Sequence, residues 1–127
     1  MTEAQFALDT TAVLAYVAGS HSLGELLGEI ADEKARFAVP AVCLVEAATM
    51  LENVAWPMLD LLAAHPCAVV VSLDGAQWRP HAAAAHVYGG VGAGAAALLF
   101  VQERVFYVAT CDPAAYGDGI DTVAITD

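Results

Sequence analysis

Three carboxylates stand alone in apolar stretches of this chain: Asp9, Glu46 and Asp112. Asp9 closes the run Phe6-Ala7-Leu8 and is the only acid between Glu3 and Glu25. Glu46 is the only formal charge between Arg36 and Glu52. Asp112 follows Phe106-Tyr-Val-Ala-Thr-Cys, with no other charge between Val105 and Gly117. An ionised carboxylate is costly to bury unless it is paired, hydrogen-bonded or bound to a cation. Three such acids in one small chain point to a shared metal site. Carboxylate oxygens with open water positions suit Mg²⁺ or Mn²⁺. Such an ion activates water and stabilises the leaving oxygen of a phosphodiester. Each acid also has a plainer reading. Asp9 with Thr10 and Thr11 can cap a helix, Glu46 can be hydrogen-bonded structure, and Asp112 before Pro113 is a common turn pairing.

The surrounding elements must bring these acids together. Residues 5–9 read as a short buried strand, and Thr10 or Thr11 caps a helix that runs to about Ala18, where Gly19 stops it. Ser22-Leu23-Gly24-Glu25 has the form of a capping box, opening a helix with Leu23, Leu26, Leu27 and Ile30 on one face. Phe37-Ala38-Val39 is a short strand. Pro40 suits the start of a third helix carrying Leu44, Val45, Ala48 and Leu51, and Pro57 opens another to about Ala64. Cys67 to Leu73 is the clearest strand, with Asp74-Gly75 as its turn. Helices near 77–88 and 92–103 follow, then strands at 105–109 and 122–126. Strands alternating with helices predict an α/β fold with a central, mostly parallel sheet flanked by helices on both faces. Ligands of such sheets sit outside the carboxyl ends of the strands, where Asp9 and Asp112 fall. A helix beginning near Pro40 aims Glu46 at the same crevice.

Composition narrows the class. The 127 residues suit one domain with a real core, built mostly from Ala, Val and Leu, since aromatics are only 8%. Fifteen acids oppose four bases, for a formal net charge of −11. That balance resists nucleic acid and favours divalent cations or a basic protein partner. Cys43, Cys67 and Cys111 are odd in number and far apart, which predicts reduced, buried thiols in a cytoplasmic protein. The N-terminus has no basic region of the kind that opens a signal peptide. Residues 80–102 carry no formal charge, and two buried helices broken at Gly89-Gly90 explain them better than a membrane span. The four histidines show no metal-helix spacing, and Trp56, Trp78 and Tyr88 read as packing residues. An apolar surplus with only 15% charged residues predicts self-association, with a homodimer as the default.

Three segments, in order, resemble the motifs of the PIN domain family, the metal-dependent ribonuclease fold of VapC-like toxins. Ala7-Leu8-Asp9-Thr10-Thr11-Ala12-Val13-Leu14 is similar to its opening "hydrophobic–Asp–x–Ser/Thr" motif. Val39-Pro40-Ala41-Val42-Cys43-Leu44-Val45-Glu46 resembles the second motif, with Glu46 as its acid. Val108-Ala109-Thr110-Cys111-Asp112-Pro113-Ala114-Ala115-Tyr116 resembles the closing "Thr–x–Asp–Pro–x–x–Tyr" motif. The resemblance covers nearly the whole chain and implies one PIN-like domain over residues 1–127. It implies a Mg²⁺- or Mn²⁺-dependent endoribonuclease site, with Asp9, Glu46 and Asp112 as both catalytic residues and metal ligands. Thr10 and Thr110 would support them. The family's usual fourth acid has no counterpart, because Val91-Gly92-Ala93 stands in its place. Asp118 or Asp121 could substitute, although their Gly-flanked loop reads as a solvated turn. The missing acid implies reduced or absent hydrolysis. The other reading is a silent PIN-like module that binds a basic protein, such as an antitoxin-like or DNA-binding regulator. RNA is a partner only of an active enzyme, and no membrane is expected.

Overall fold

Alternating side chains on five short strands decide which helices cover which face. The computed structural model describes residues 2–127. Its strands are β1 (Phe6–Leu8), β2 (Phe37–Pro40), β3 (Ala68–Val71), β4 (Tyr107–Thr110) and β5 (Thr122–Ala124). They form one sheet in the order β3-β2-β1-β4-β5, and every neighbouring pair is parallel. The helices are α1 (Thr10–Val17), α2 (His21–Asp32), α3 (Ala41–Met50), α4 (Trp56–Ala63), α5 (Trp78–Tyr88) and α6 (Val91–Val101). The fold is therefore α/β with an all-parallel central sheet, as the alternation of elements predicts.

Successive strand residues point to opposite faces. Phe6, Leu8, Phe37 and Val39 join the core beneath α1–α4. Ala7, Ala38 and Val108 join the core beneath α6. Because β1 and its neighbours are in register at Phe6↔Phe37 and Phe6↔Tyr107, three rings stack across the sheet. Their centroids are 5.9 and 5.4 Å apart. Burying one such ring is worth about 1.5–3 kcal/mol. The opposite face is built small. Ala7 and Ala38 lie under Ala96 and Ala97 of α6, so this helix can approach the sheet closely. Gly94 does the same on the outer side: a Cβ there would stand 2.7 Å from the Ala85 nitrogen of α5.

α1 is capped by Asp9, whose side chain accepts from the Ala12 N–H, in line with the plainer reading of that acid, so neither Thr10 nor Thr11 takes the role and both are free for other bonds. Other boundaries differ from the sequence expectation. α2 starts at His21 with Ser20 as its cap, and the Ser22–Glu25 capping box does not form. Ser22 Oγ instead accepts from the Thr126 N–H. β3 is shorter than Cys67–Leu73 and is half-exposed, because it is an edge strand and needs no apolar outer side. The chain does break into two helices at Gly89-Gly90, with Gly89 at φ +86°, in the left-handed region that favours glycine, but only α6 is buried as expected, since Ala84 alone of α5 is. That pair is bent by 110°, and no single helix among the described residues is long and apolar enough to cross a membrane. All three cysteines are free, but only Cys43 is buried, while Cys67 is half-buried and Cys111 exposed. Cys111 lies in the open turn after β4, so an apolar sequence neighbourhood did not guarantee burial there.

The C-terminal segment is fastened to α2. The Asp127 carboxylate accepts from Ser20 Oγ at 2.6 Å, His21 N at 2.7 Å and Ser22 N at 3.1 Å. The Ser20 hydroxyl and these amides hold its pKa down at about 2, against an ordinary 3.8. A carboxyl whose folded pKa lies below its unfolded value stabilises the fold above the unfolded value, and loses that effect as pH falls toward the folded one. The thermal stability of wild type should therefore exceed that of Asp127→Asn near neutral pH. The two melting curves should converge as pH falls from about 4 to about 2. A constant gap over that range would show that the carboxylate is not responsible.

Candidate active site

The carboxyl ends of β1 and β4 and the middle of α3 surround one cleft of ≈ 200 Å³. Asp9, Glu46 and Asp112 all line it, together with Thr10, Tyr88 and Ala93. Three acids separated by tens of residues are thus brought to one place. Parallel strands make this possible, because each ends on the same side of the sheet.

Asp9 is the fixed point. It is 3% exposed, and both carboxylate oxygens are engaged. Oδ1 accepts from the Ala12 N–H at 2.9 Å and from Thr11 Oγ1 at 2.6 Å. Oδ2 accepts from the Tyr116 hydroxyl at 2.7 Å. Burial and the neighbouring Asp9 charge push the Tyr116 phenol far up, so it remains a neutral donor. Tyr116 also stacks on Tyr88, with centroids 5.7 Å apart.

Thr11 joins the two strand ends. Its single hydroxyl proton goes to Asp9, while its oxygen accepts from the Cys111 N–H at 2.9 Å. Thr110 Oγ1 lies 3.3 Å from Thr11 Oγ1 and therefore donates in that pair. The Thr110 oxygen in turn accepts from the Asp112 N–H at 3.0 Å. Asp112 is exposed, and its side chain makes no capping bond. Glu46 is held from the other side, with Thr10 Oγ1 donating to its Oε1 at 2.5 Å. Thr10 thus holds the Glu46 side chain, and Thr110 holds the backbone of Asp112. Thr11, read from sequence only as a helix-cap candidate, and Tyr116 were not among the predicted site residues. Their signal was present in the motif text, as the second threonine after Asp9 and the closing tyrosine.

The glycine at position 92 has a steric cause. Gly92, on the first turn of α6, lies so close to Thr10 and Glu46 that an added Cβ would overlap Thr10 Oγ1 and Glu46 Oε1. The same Cβ would stand 3.2 Å from Cys43 Sγ. Cys43 itself donates to the Gly92 carbonyl at 3.4 Å. Burial pushes this thiol up to about 12, with the Asp9 and Glu46 charges adding to the effect, so it stays protonated. It is neither a nucleophile nor a ready metal ligand.

No family model matches this chain, and no curated protein matches it either.

An ionised carboxylate has about four lone-pair positions. Hydrogen bonds from Thr11, Ala12 and Tyr116 occupy part of Asp9, and Thr10 occupies part of Glu46. Oxygen acceptance remains on all three acids, the donor chemistry a hard divalent cation uses. Among the described residues, however, no three His, Cys, Asp or Glu side chains gather closely enough to hold an ion directly. A fully protein-ligated ion therefore does not fit this donor set as it stands. Asp118 and Asp121 are exposed and are not among the residues lining the cleft.

Proposed function

We propose that the chain is a PIN-like domain with a depleted acidic cleft, resembling the Mg²⁺- or Mn²⁺-dependent endoribonucleases of toxin–antitoxin systems, in which phosphodiester hydrolysis is reduced or lost. One observation carries this reading: Asp9, Glu46 and Asp112 line a single cleft at the carboxyl end of a parallel sheet. Asp9, Glu46 and Asp112 would hold the ion, in part through its waters. When bound, it would supply an activated water and charge for the leaving oxygen. The chain's own residues do the positioning. Tyr116 and Thr11 fix Asp9, Thr10 orients Glu46, and Thr110 orients the backbone of Asp112. A net charge of −11 repels a phosphodiester, so RNA binding would depend on the cation.

A second reading, a silent module that binds a basic protein, draws on a different surface. Val45 of α3 is 63% exposed, Val54 78% and Trp56 48%, around an apolar groove between α3 and α4. Apolar side chains exposed this far and this close together suit a protein partner or a second copy. A homodimer through this face should double the mass seen by light scattering at micromolar concentration.

Calorimetric titration with Mn²⁺ tests the first reading. Wild type should show one weak saturable site, and Asp112→Asn should weaken it about tenfold. Asp112 is exposed and caps nothing, so this substitution leaves the fold intact. No heat of binding at millimolar Mn²⁺ in a folded protein would sink the ion site. The partner-binding reading would then stand alone.

A further inference from the structure

The sheet ends at β5 with its outer side open. β5 pairs inward with β4 at Val108↔Thr122, Ala109↔Val123 and Thr110↔Ala124. Among the described residues, no strand pairs with its outer edge. Asp121 O and Ile125 N bond inward to β4, so Thr122 and Ala124 turn their backbone groups outward, while the next outward amide, Thr126, already donates to Ser22 Oγ. Outward backbone groups on an edge are a template for another strand.

Two hollows flank this edge. Between β5 and α2 runs a groove of ≈ 150 Å³ with Leu26, Val123 and Ile125 as its apolar floor and Glu25 and Glu29 on its wall. At the start of the strand lies a wider hollow of ≈ 580 Å³, floored by Val101, Val105 and Phe106 and rimmed by Glu103 and Asp121. Phe106 is 54% exposed there. Both hollows repeat one chemistry, an apolar floor with acid at the margin. Of the four acids, only Glu25 has an ion-pair partner among the described residues, the exposed His21. The nearby Arg104 is engaged by Glu3 through two bonds of 2.9 Å.

We propose that the outer edge of β5 is the docking edge for an extended segment of a partner protein that alternates Lys or Arg with β-branched apolar residues. The segment adds one strand to the sheet through main-chain hydrogen bonds. Its side chains alternate between the two faces, as in any strand. Basic side chains on the α2 face reach Glu25 and Glu29, while apolar ones on the opposite face cover Val101 and Phe106. Charge complementarity selects this occupant over an acidic or neutral one. The proposal rests on the partner-binding reading and gives it a surface separate from both the acidic cleft and the α3–α4 groove.

The test uses a fluorescent acetylated peptide, Lys-Val-Lys-Ile-Lys-Val-amide, and anisotropy with the whole chain. Saturable binding should weaken about tenfold in the double variant Glu25→Lys/Glu29→Lys. It should survive in Glu52→Lys/Asp60→Lys, which changes net charge equally on the α3–α4 side. Methylating alternate backbone nitrogens of the peptide should abolish it, since the edge bonds are then blocked. Absence of binding overturns the proposal, as does a methylated peptide that binds as tightly as the original. Loss in the Glu52/Asp60 variant rather than the Glu25/Glu29 variant also overturns it. That last result moves the partner to the α3–α4 face and leaves the partner-binding reading standing.

Discussion

Gly92→Ala should destabilise the protein by about 1–3 kcal/mol, against the usual sign of a helical Gly→Ala change. Alanine normally gains roughly 0.5–1 kcal/mol over glycine inside a helix by entropy alone. Here the new Cβ would overlap Thr10 Oγ1 and Glu46 Oε1, which are hydrogen-bonded to each other. Room is made only if Thr10 shifts and the half-exposed Glu46 carboxylate swings aside with it, and the buried Cys43 sulfur closes the third direction at 3.2 Å. Steric cost therefore exceeds propensity. Ala93 makes the contrast, because it lines the cleft. Ala93→Asp should place a fourth carboxylate on the first turn of α6, where the helix dipole favours it, and strengthen Mn²⁺ binding about tenfold. Chemical denaturation and calorimetry read the two effects separately. A Gly92→Ala protein as stable as wild type would show that α6 can shift away from α3. Unchanged Mn²⁺ affinity in Ala93→Asp would mean that the cleft does not gather its acids around an ion.

Asp9→Ala should cost roughly 3–5 kcal/mol, enough to threaten folding of a domain this size. Part is the lost helix cap, typically about 1 kcal/mol. The larger part is stranding the donors that converge on the carboxylate. Tyr116, itself only 3% exposed, would keep a hydroxyl with no acceptor, and Thr11 would lose the acceptor that fixes its proton. An unsatisfied buried donor costs about 1–3 kcal/mol. Asp9→Asn retains an acceptor for the cap and should lose much less, while still removing the charge an ion requires. A double-mutant cycle with Tyr116→Phe isolates the hydroxyl's share. If Asp9→Ala costs under about 1 kcal/mol, the carboxylate is not the hub of this network.

The layout of the site was largely legible in the sequence, and the reason is periodicity. Strand-length apolar runs ending in Asp9 and Asp112 are specific to a parallel sheet whose active edge is its carboxyl end. Glu46 was placed by the helix after Pro40, and the three do line one cleft. Helix caps were read in part. Asp9, Thr10 and Thr11 were all open to the cap role, and Asp9 takes it, which frees the threonines for Glu46 and Asp9. The Ser22–Glu25 box failed because Asp127, more than a hundred residues away, settles on the same helix start. A local pattern carries no record of a distant competitor. The crowding at Gly92 was invisible for the same reason. Sequence shows a glycine there, whereas only the approach of α6 to α3 shows that a side chain would not fit.

The central place of β1 has a consequence for how the molecule is made. β1, β2 and β3 leave the ribosome before β4 and can assemble as one half of the sheet, with β1 at its temporary edge. The flank that β4 will occupy then stays open while α5 and α6 are synthesised, and Phe6 waits for Tyr107. A nascent chain at that stage offers a bare apolar edge, the usual invitation to aggregation. It also has no acidic cleft, because Asp112 and Tyr116 follow β4 in the chain. Whatever the cleft does, it does only once that segment has joined the sheet.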